Sequence, residues 1–208
     1  MENNTEEKKR KQELYSERLE NEYKRAFEVL EKNGYVFEKS LNFQIPNFEA
    51  DLPIISKLIG LEIKKTNLIQ QVLRFFENTN GKHLCLLGTC GTGKTLLAAK
   101  IIPLIFCASF KKIFKVIKAC DLSDRLQEVK EYPFVVVDDF GTESTAVNFG
   151  NKVEAFNEVI DSVEGRKCFV VVTSNLDANQ IKQKYGIRTY DRLRGLFKVI
   201  QVSDKSMR

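Results

Sequence analysis

Eight consecutive residues constrain this chain more than any others: Gly88-Thr89-Cys90-Gly91-Thr92-Gly93-Lys94-Thr95 matches G-x-x-x-x-G-K-[ST] at every fixed position. Ahead of it the apolar run HLCLLG (83–88) reads as a short buried strand. Behind it TLLAAKII (95–102) reads as a helix, which Pro103 ends or kinks. A strand, a glycine turn and a helix in that order make a cradle for phosphate. Glycines let backbone N–H groups converge on one anion without Cβ clashes, and the helix points its positive end at the same place. In this arrangement Lys94 reaches the terminal phosphates and the Thr95 hydroxyl ligates Mg²⁺. The nucleotide-binding set is Gly88, Thr89, Cys90, Gly91, Thr92, Gly93, Lys94 and Thr95, with Leu96 next on the helix.

Two further apolar runs end in polar groups. Phe134-Val135-Val136-Val137-Asp138-Asp139 brings two carboxylates to the end of a buried strand. Phosphoryl transfer needs one carboxylate for the metal, and hydrolysis needs a second to orient water. Asp138 is assigned to the metal and Asp139 to the water. Val170-Val171-Val172-Thr173-Ser174-Asn175 ends in a carboxamide that either bonds the attacking water or terminal phosphate, or caps the strand end.

The rest of the chain alternates helix and strand signals. Residues 41–53 read as an irregular link, and 54–78 as two helical pieces broken near Gly60. IFKVIKA (113–119) is β-rich, VEAFNEVIDSV (153–163) has helical spacing, and FKVIQVS (197–203) alternates as a strand. The expected fold is α/β with a mainly parallel sheet.

Residues 1–33 carry eight basic and nine acidic side chains. Within them Tyr15, Leu19, Tyr23, Ala26, Phe27 and Leu30 recur three or four apart, a narrow apolar stripe on a charged helix. The stripe either packs on the main domain or docks on a partner. Residues 182–208 hold eight basic and two acidic side chains, an excess suited to phosphate or simply to a solvated surface. Cys85, Cys90, Cys107, Cys120 and Cys168 form no C-x-x-C pair and face a single histidine, His83. That argues against zinc and against a disulfide framework, and reads as small buried side chains in a reducing cytosol. No apolar stretch is long enough to span a membrane. The opening MENNTEEKKRKQELY lacks the apolar core of a secretory signal.

GTCGTGKT, FVVVDDFGTE, VVTSN and YGIRTYDRLRG occur in the order found in AAA+ ATPases of the DnaC/DnaI helicase-loader group, which the chain resembles over about residues 55–208. The transposition helper IstB is similar. The resemblance implies a RecA-like AAA+ three-layer sandwich, with an extra strand between the two acidic-loop strands that IFKVIKA fits. It implies ATP and Mg²⁺ as cofactors, Lys94 and Thr95 as Walker A, Asp138 and Asp139 as Walker B, and Asn175 as sensor 1. Arg188 and Arg192 fall in the arginine-finger segment, Glu143 matches the acid after the second motif, and Arg208 sits where the group often has a last arginine. The chain ends soon after its last strand, as in that group, so no helical lid is expected.

Three features depart from the family. Asp139 stands where most AAA+ proteins have Glu, and its shorter arm favours slow turnover. The stretch between IFKVIKA and FVVVDD is shorter than the helical insert the family associates with single-stranded DNA. Residues 1–54, the charged helix and linker, have no cysteine-rich zinc module, so the helix alone is left to grip a helicase. The function implied is a cytoplasmic ATPase of DNA replication that loads or remodels a replicative helicase through residues 1–33. It acts on single-stranded DNA and forms a homo-oligomer on activation. The alternatives are an IstB-like helper acting on DNA and a transposase, a small-molecule kinase, and a nucleotide-gated adaptor.

Overall fold

Strands that are apolar on both faces must be covered on both faces, and the four apolar runs impose that on this chain. The computed structural model describes residues 41–45, 48–141 and 149–202, with isolated positions between Asn21 and Lys32. The chain divides into two compact units, Met1–Phe37 and Glu38–Arg208. In the first, the described positions (Asn21, Lys24, Arg25, Glu28, Val29 and Lys32) are helical. The stripe from Tyr15 to Leu30 lies outside the described residues, as do Glu143 and Arg208.

The second unit begins with α1 (Phe48–Ile59) and α2 (Asn67–Glu77), then β1 (His83–Gly88). A short α3 (Lys94–Leu96), a π-helical turn (Leu97–Ile101) and α4 (Ile102–Phe110) follow as one continuous helix. Next come β2 (Lys115–Lys118), α5 (Leu126–Glu131), β3 (Phe134–Phe140), α6 (Phe149–Val163) and β4 (Phe169–Ser174). The last elements are α7 (Ala178–Tyr185), α8 (Ile187–Leu196) and β5 (Phe197–Val202).

The sheet order is β2-β3-β4-β1-β5 and every pairing is parallel. Alternate residues feed two separate cores. Leu84, Leu86, Val136, Val171 and Ile200 pack with α1, α2 and the helix after β1. Cys85, Leu87, Val135, Val137, Val170 and Val172 pack with α5 to α8. The result is three layers, with helices on both faces. Much of the chain's phenylalanine is spent on the first core. Phe106 is fully buried, with Phe43, Phe110, Phe114 and Phe169 rings centred 4.9, 5.2, 5.1 and 5.4 Å away. Each such side chain contributes about 1.5–3 kcal/mol through burial.

Four expectations are corrected. The segment 41–53 is not irregular throughout, because α1 starts at Phe48. Phe48, Leu52 and Ile55 recur at helical spacing and are buried, Glu49 and Asp51 suit the first turn, and Pro53 lies on the exposed side. Pro103 does not end its helix. It falls just after the π turn, whose wider hydrogen-bond register accommodates the missing N–H, and the helix runs on to Phe110. IFKVIKA does not lie inside the sheet: its strand β2 is four residues long, carries Lys115 and Lys118, and sits at the edge. The strand between β1 and β3 is β4. Finally, only Cys85 and Cys168 are buried. Cys90 lies in the glycine loop, Cys107 on α4 and Cys120 in a 3₁₀ turn, all exposed.

Candidate functional site

Parallel strands bring their C-terminal ends to one edge of the sheet, so the ends of β1, β3 and β4 meet there. The glycines after β1 are dictated by backbone. Gly88 has φ +149°, and a Cβ on it would stand 2.4 Å from the Val202 carbonyl oxygen at the end of β5. Gly91 and Gly93 take φ +83° and +85°, left-handed values that turn the loop into the helix.

Lys94 is buried, with 6% of its surface exposed. Its Nζ donates to the Gly88 and Thr89 carbonyls, each at 2.8 Å, and to Asn175 Oδ1 at 3.0 Å. Burial lowers its pKa, while the charges of Cys90, Asp139 and Asp138 act against that shift. A phosphate in the loop supplies the counter-charge that this ammonium has only in part.

The two aspartates solve a directional problem. Neighbouring side chains on a strand point to opposite faces, so both cannot serve one site from a regular strand. Here Val137 pairs with Val172 but Phe140 with Ser174, so β3 carries one extra residue. The bulge centres on Asp139, whose φ of +64° is left-handed, a conformation aspartate tolerates better than most residues. Asp138 Oδ1 accepts from Thr95 Oγ1 at 3.0 Å and from Thr173 Oγ1 at 2.7 Å. Asp139 Oδ1 accepts from Asn175 Nδ2 at 2.6 Å.

Thr173 carries a role that sequence reasoning did not assign. Its hydroxyl accepts the Asp139 N–H at 2.8 Å while donating to Asp138, which pins the bulge from β4. Threonine is so common in strands that nothing in TSN singled out this hydroxyl.

A cleft of about 730 Å³ opens over these groups, lined by Cys90 to Leu96, Lys100, Asp139 and Asn175 and by Leu61, Glu62 and Lys64 from the α1–α2 connection. No motif marked those last three. For Mg²⁺, the Thr95 hydroxyl and the Asp138 carboxylate are hard oxygen donors set side by side, and they suit an ion that completes its shell with phosphate and water. Among the described residues no three of His, Cys, Asp and Glu gather to hold a metal.

Arg188 and Arg192 are not brought into this cleft. They sit one turn apart on α8 and line a separate hollow of about 220 Å³ with Asn157 and Asp161. Arg192 is bound by Asp161 and Glu164, which raise its pKa further, with Glu164 the larger influence. Arg188 is exposed and forms no ion pair with a described residue.

The family model Novel STAND NTPase 3 (nSTAND3) matches residues 65–206. A crystal structure of the DnaC helicase loader superposes with a TM-score of 0.57 at 18% identity, covering 68% of this chain and 94% of that one. The DnaI crystal structure gives 0.54 at 19% identity, covering 79% and 94%. AMPPCP-bound DnaA from Aquifex aeolicus gives 0.52 at 15% identity, covering 79% and 53%. No curated protein matches the sequence. At these identities the structural likeness establishes the fold, an AAA+ P-loop sandwich, as the motifs implied.

Proposed function

The chain belongs to the Novel STAND NTPase 3 family, and from that premise we propose that it is a Mg²⁺-dependent ATPase that loads or remodels a replicative helicase on single-stranded DNA. The observation that carries the ATPase reading is the convergence of five groups from three strand ends. Lys94 and Asp139 are bridged by the Asn175 amide, and Thr95 meets Asp138. Lys94 and the loop N–H groups hold the phosphates, and Thr95 with Asp138 holds the metal. Mg²⁺ in that position would neutralise charge on the phosphates. Asp139 orients water, and Asn175 holds that carboxylate and the Lys94 ammonium in register.

The helicase reading draws on the fold shared with the DnaC helicase loader and on the basic C-terminal segment. Residues 1–33 serve as the helicase handle in this proposal, and Arg188 completes the site of a neighbouring subunit in a homo-oligomer. The setting is the cytoplasm. Among the described residues no helix is long and apolar enough to cross a membrane.

The test has two stages. ATP binding and hydrolysis are measured with and without single-stranded DNA for wild type and Lys94→Ala. Loss of binding or turnover in a variant that remains folded is expected, because a buried cation facing phosphate is worth several kcal/mol. Normal turnover in that variant removes the ATPase reading. Co-purification from the native host, full length against a chain lacking residues 1–33, then decides the partner. A helicase retained only by the full-length protein is expected, and a transposase in its place overturns the loader reading.

A further inference from the structure

The end of the sheet opposite the phosphate loop holds a second polar site. There the starts of β1 and β5 lie side by side, with His83 opposite Phe197. A groove of about 500 Å³ runs between them and α2, walled by Arg74, Lys82 and Lys198 and by the amides of Gln71, Asn78 and Asn80. No acidic side chain is among its lining residues.

The three cations differ in what they already do. Lys82 Nζ donates to the carbonyls of Gly195, at 2.8 Å, and Arg194, at 3.4 Å. It is thereby committed to the negative end of α8. Arg74 and Lys198 are exposed and form no ion pair with a described residue. The floor is fixed: the Thr79 hydroxyl accepts the Phe43 N–H at 2.9 Å and donates to Asn42 at 3.0 Å. Beyond it β5 is an edge strand, paired among the described residues only with β1.

The geometry points to this groove as a binding site for the phosphodiester backbone of single-stranded DNA, separate from the nucleotide cleft. A guanidinium and an ammonium on opposite walls suit successive phosphates. The amides between them, each both donor and acceptor, suit sugar and base edges. An acidic peptide added to β5 as a strand would be held by the backbone of β5, and the amides on α2 and in the turn before β1 would play no part. The inference rests on the reading that the chain works on single-stranded DNA, and it adds where the strand lies.

The experiment measures fluorescence anisotropy of a labelled oligothymidylate with the full chain across a range of salt. Arg74→Ala/Lys198→Ala is compared with Lys57→Ala/Lys167→Ala, which removes the same charge from exposed positions elsewhere. The groove variant should bind about tenfold more weakly or worse, with a log–log salt slope shallower by about 1.4 for two lost phosphate contacts. Its ATP affinity should be unchanged and the control should bind DNA as wild type does. Arg74→Lys/Lys198→Arg should restore binding, which separates charge from fold. Equal binding by the groove variant and wild type overturns the groove and leaves the function standing. No binding by wild type overturns both the groove and the DNA reading. Displacement of the oligonucleotide by polyglutamate as readily as by unlabelled oligothymidylate also overturns the assignment, in favour of an acidic protein partner.

Discussion

His83 is the chain's one histidine, so its protonation can be followed without interference. It starts β1, is 6% exposed, and its Nδ1 accepts the Val170 N–H at 3.3 Å. Burial pushes its pKa down from 6.5 to about 4, a backbone hydrogen bond with Val163 acts the other way, and the Arg166 charge adds to the fall. The folded pKa lies below the unfolded one, so the unfolded chain binds the proton first as pH drops. Stability is complete above about pH 6.5 and is lost progressively between 6.5 and 4. For that shift, linkage gives a loss of about 2 kcal/mol on going from neutral pH to about pH 5, and about 3 kcal/mol by about pH 4. Carboxylates titrate in the same range, so the quantity to measure is a difference of differences. Urea unfolding of wild type and His83→Gln is recorded at about pH 7.5 and about pH 5, and wild type should lose about 2 kcal/mol more than the variant. Equal losses, or an NMR titration placing the His83 midpoint near 6.5, refute the reasoning.

Gly88→Ala puts a methyl group against the Val202 carbonyl oxygen and should cost about 1–3 kcal/mol in urea unfolding; unchanged stability would mean that β5 yields freely there. Asp139→Asn should keep the left-handed turn and ATP binding while slowing hydrolysis about 100-fold, whereas Asp138→Asn should weaken Mg²⁺-dependent binding as well. A wild-type rate in Asp139→Asn assigns the water to another residue. Arg192→Ala should lower stability by less than about 1 kcal/mol, since Asp161 and Glu164 hold it near the surface. Arg188→Ala should leave stability and ATP binding intact yet hydrolyse poorly, and should regain activity when mixed with Lys94→Ala. Failure of two assembling variants to complement removes the trans assignment.

The parts most legible in the sequence are those where one physical demand acts alone. β1, β3 and β4 are buried on both faces, so they appear as unbroken apolar runs, and their bounds lie within a residue or two of those expected. The phosphate loop is legible because its glycines answer to backbone geometry. α7 and α8 are harder to see, since ANQIKQKY and IRTYDRLRGL bury only a few residues such as Ile181, Tyr185, Tyr190 and Leu193. The bulge at Asp139 leaves no mark, because two adjacent aspartates look the same on a straight strand as on a bent one. The acids that hold Arg192 lie 31 and 28 residues before it, on and just after another helix, where no spacing rule reaches. α1 was hidden by Pro53, a residue with strong local meaning that tertiary burial of Phe48, Leu52 and Ile55 overrides.

The strand order carries a consequence for tolerance to change. β4 stands between β1 and β3, so the lysine loop and the aspartate strand are two strand spacings apart, about 9.6 Å. That interval is set by peptide hydrogen bonds and is indifferent to which side chains fill the layers above and below. Asn175, at the end of the intervening strand, is placed to touch both neighbours at once and needs no long reach to do so. The ruler of the site is therefore the backbone. Substitutions throughout both cores can accumulate while the interval holds, and a change that slips β4 by one residue dismantles the site with every one of its functional side chains still present.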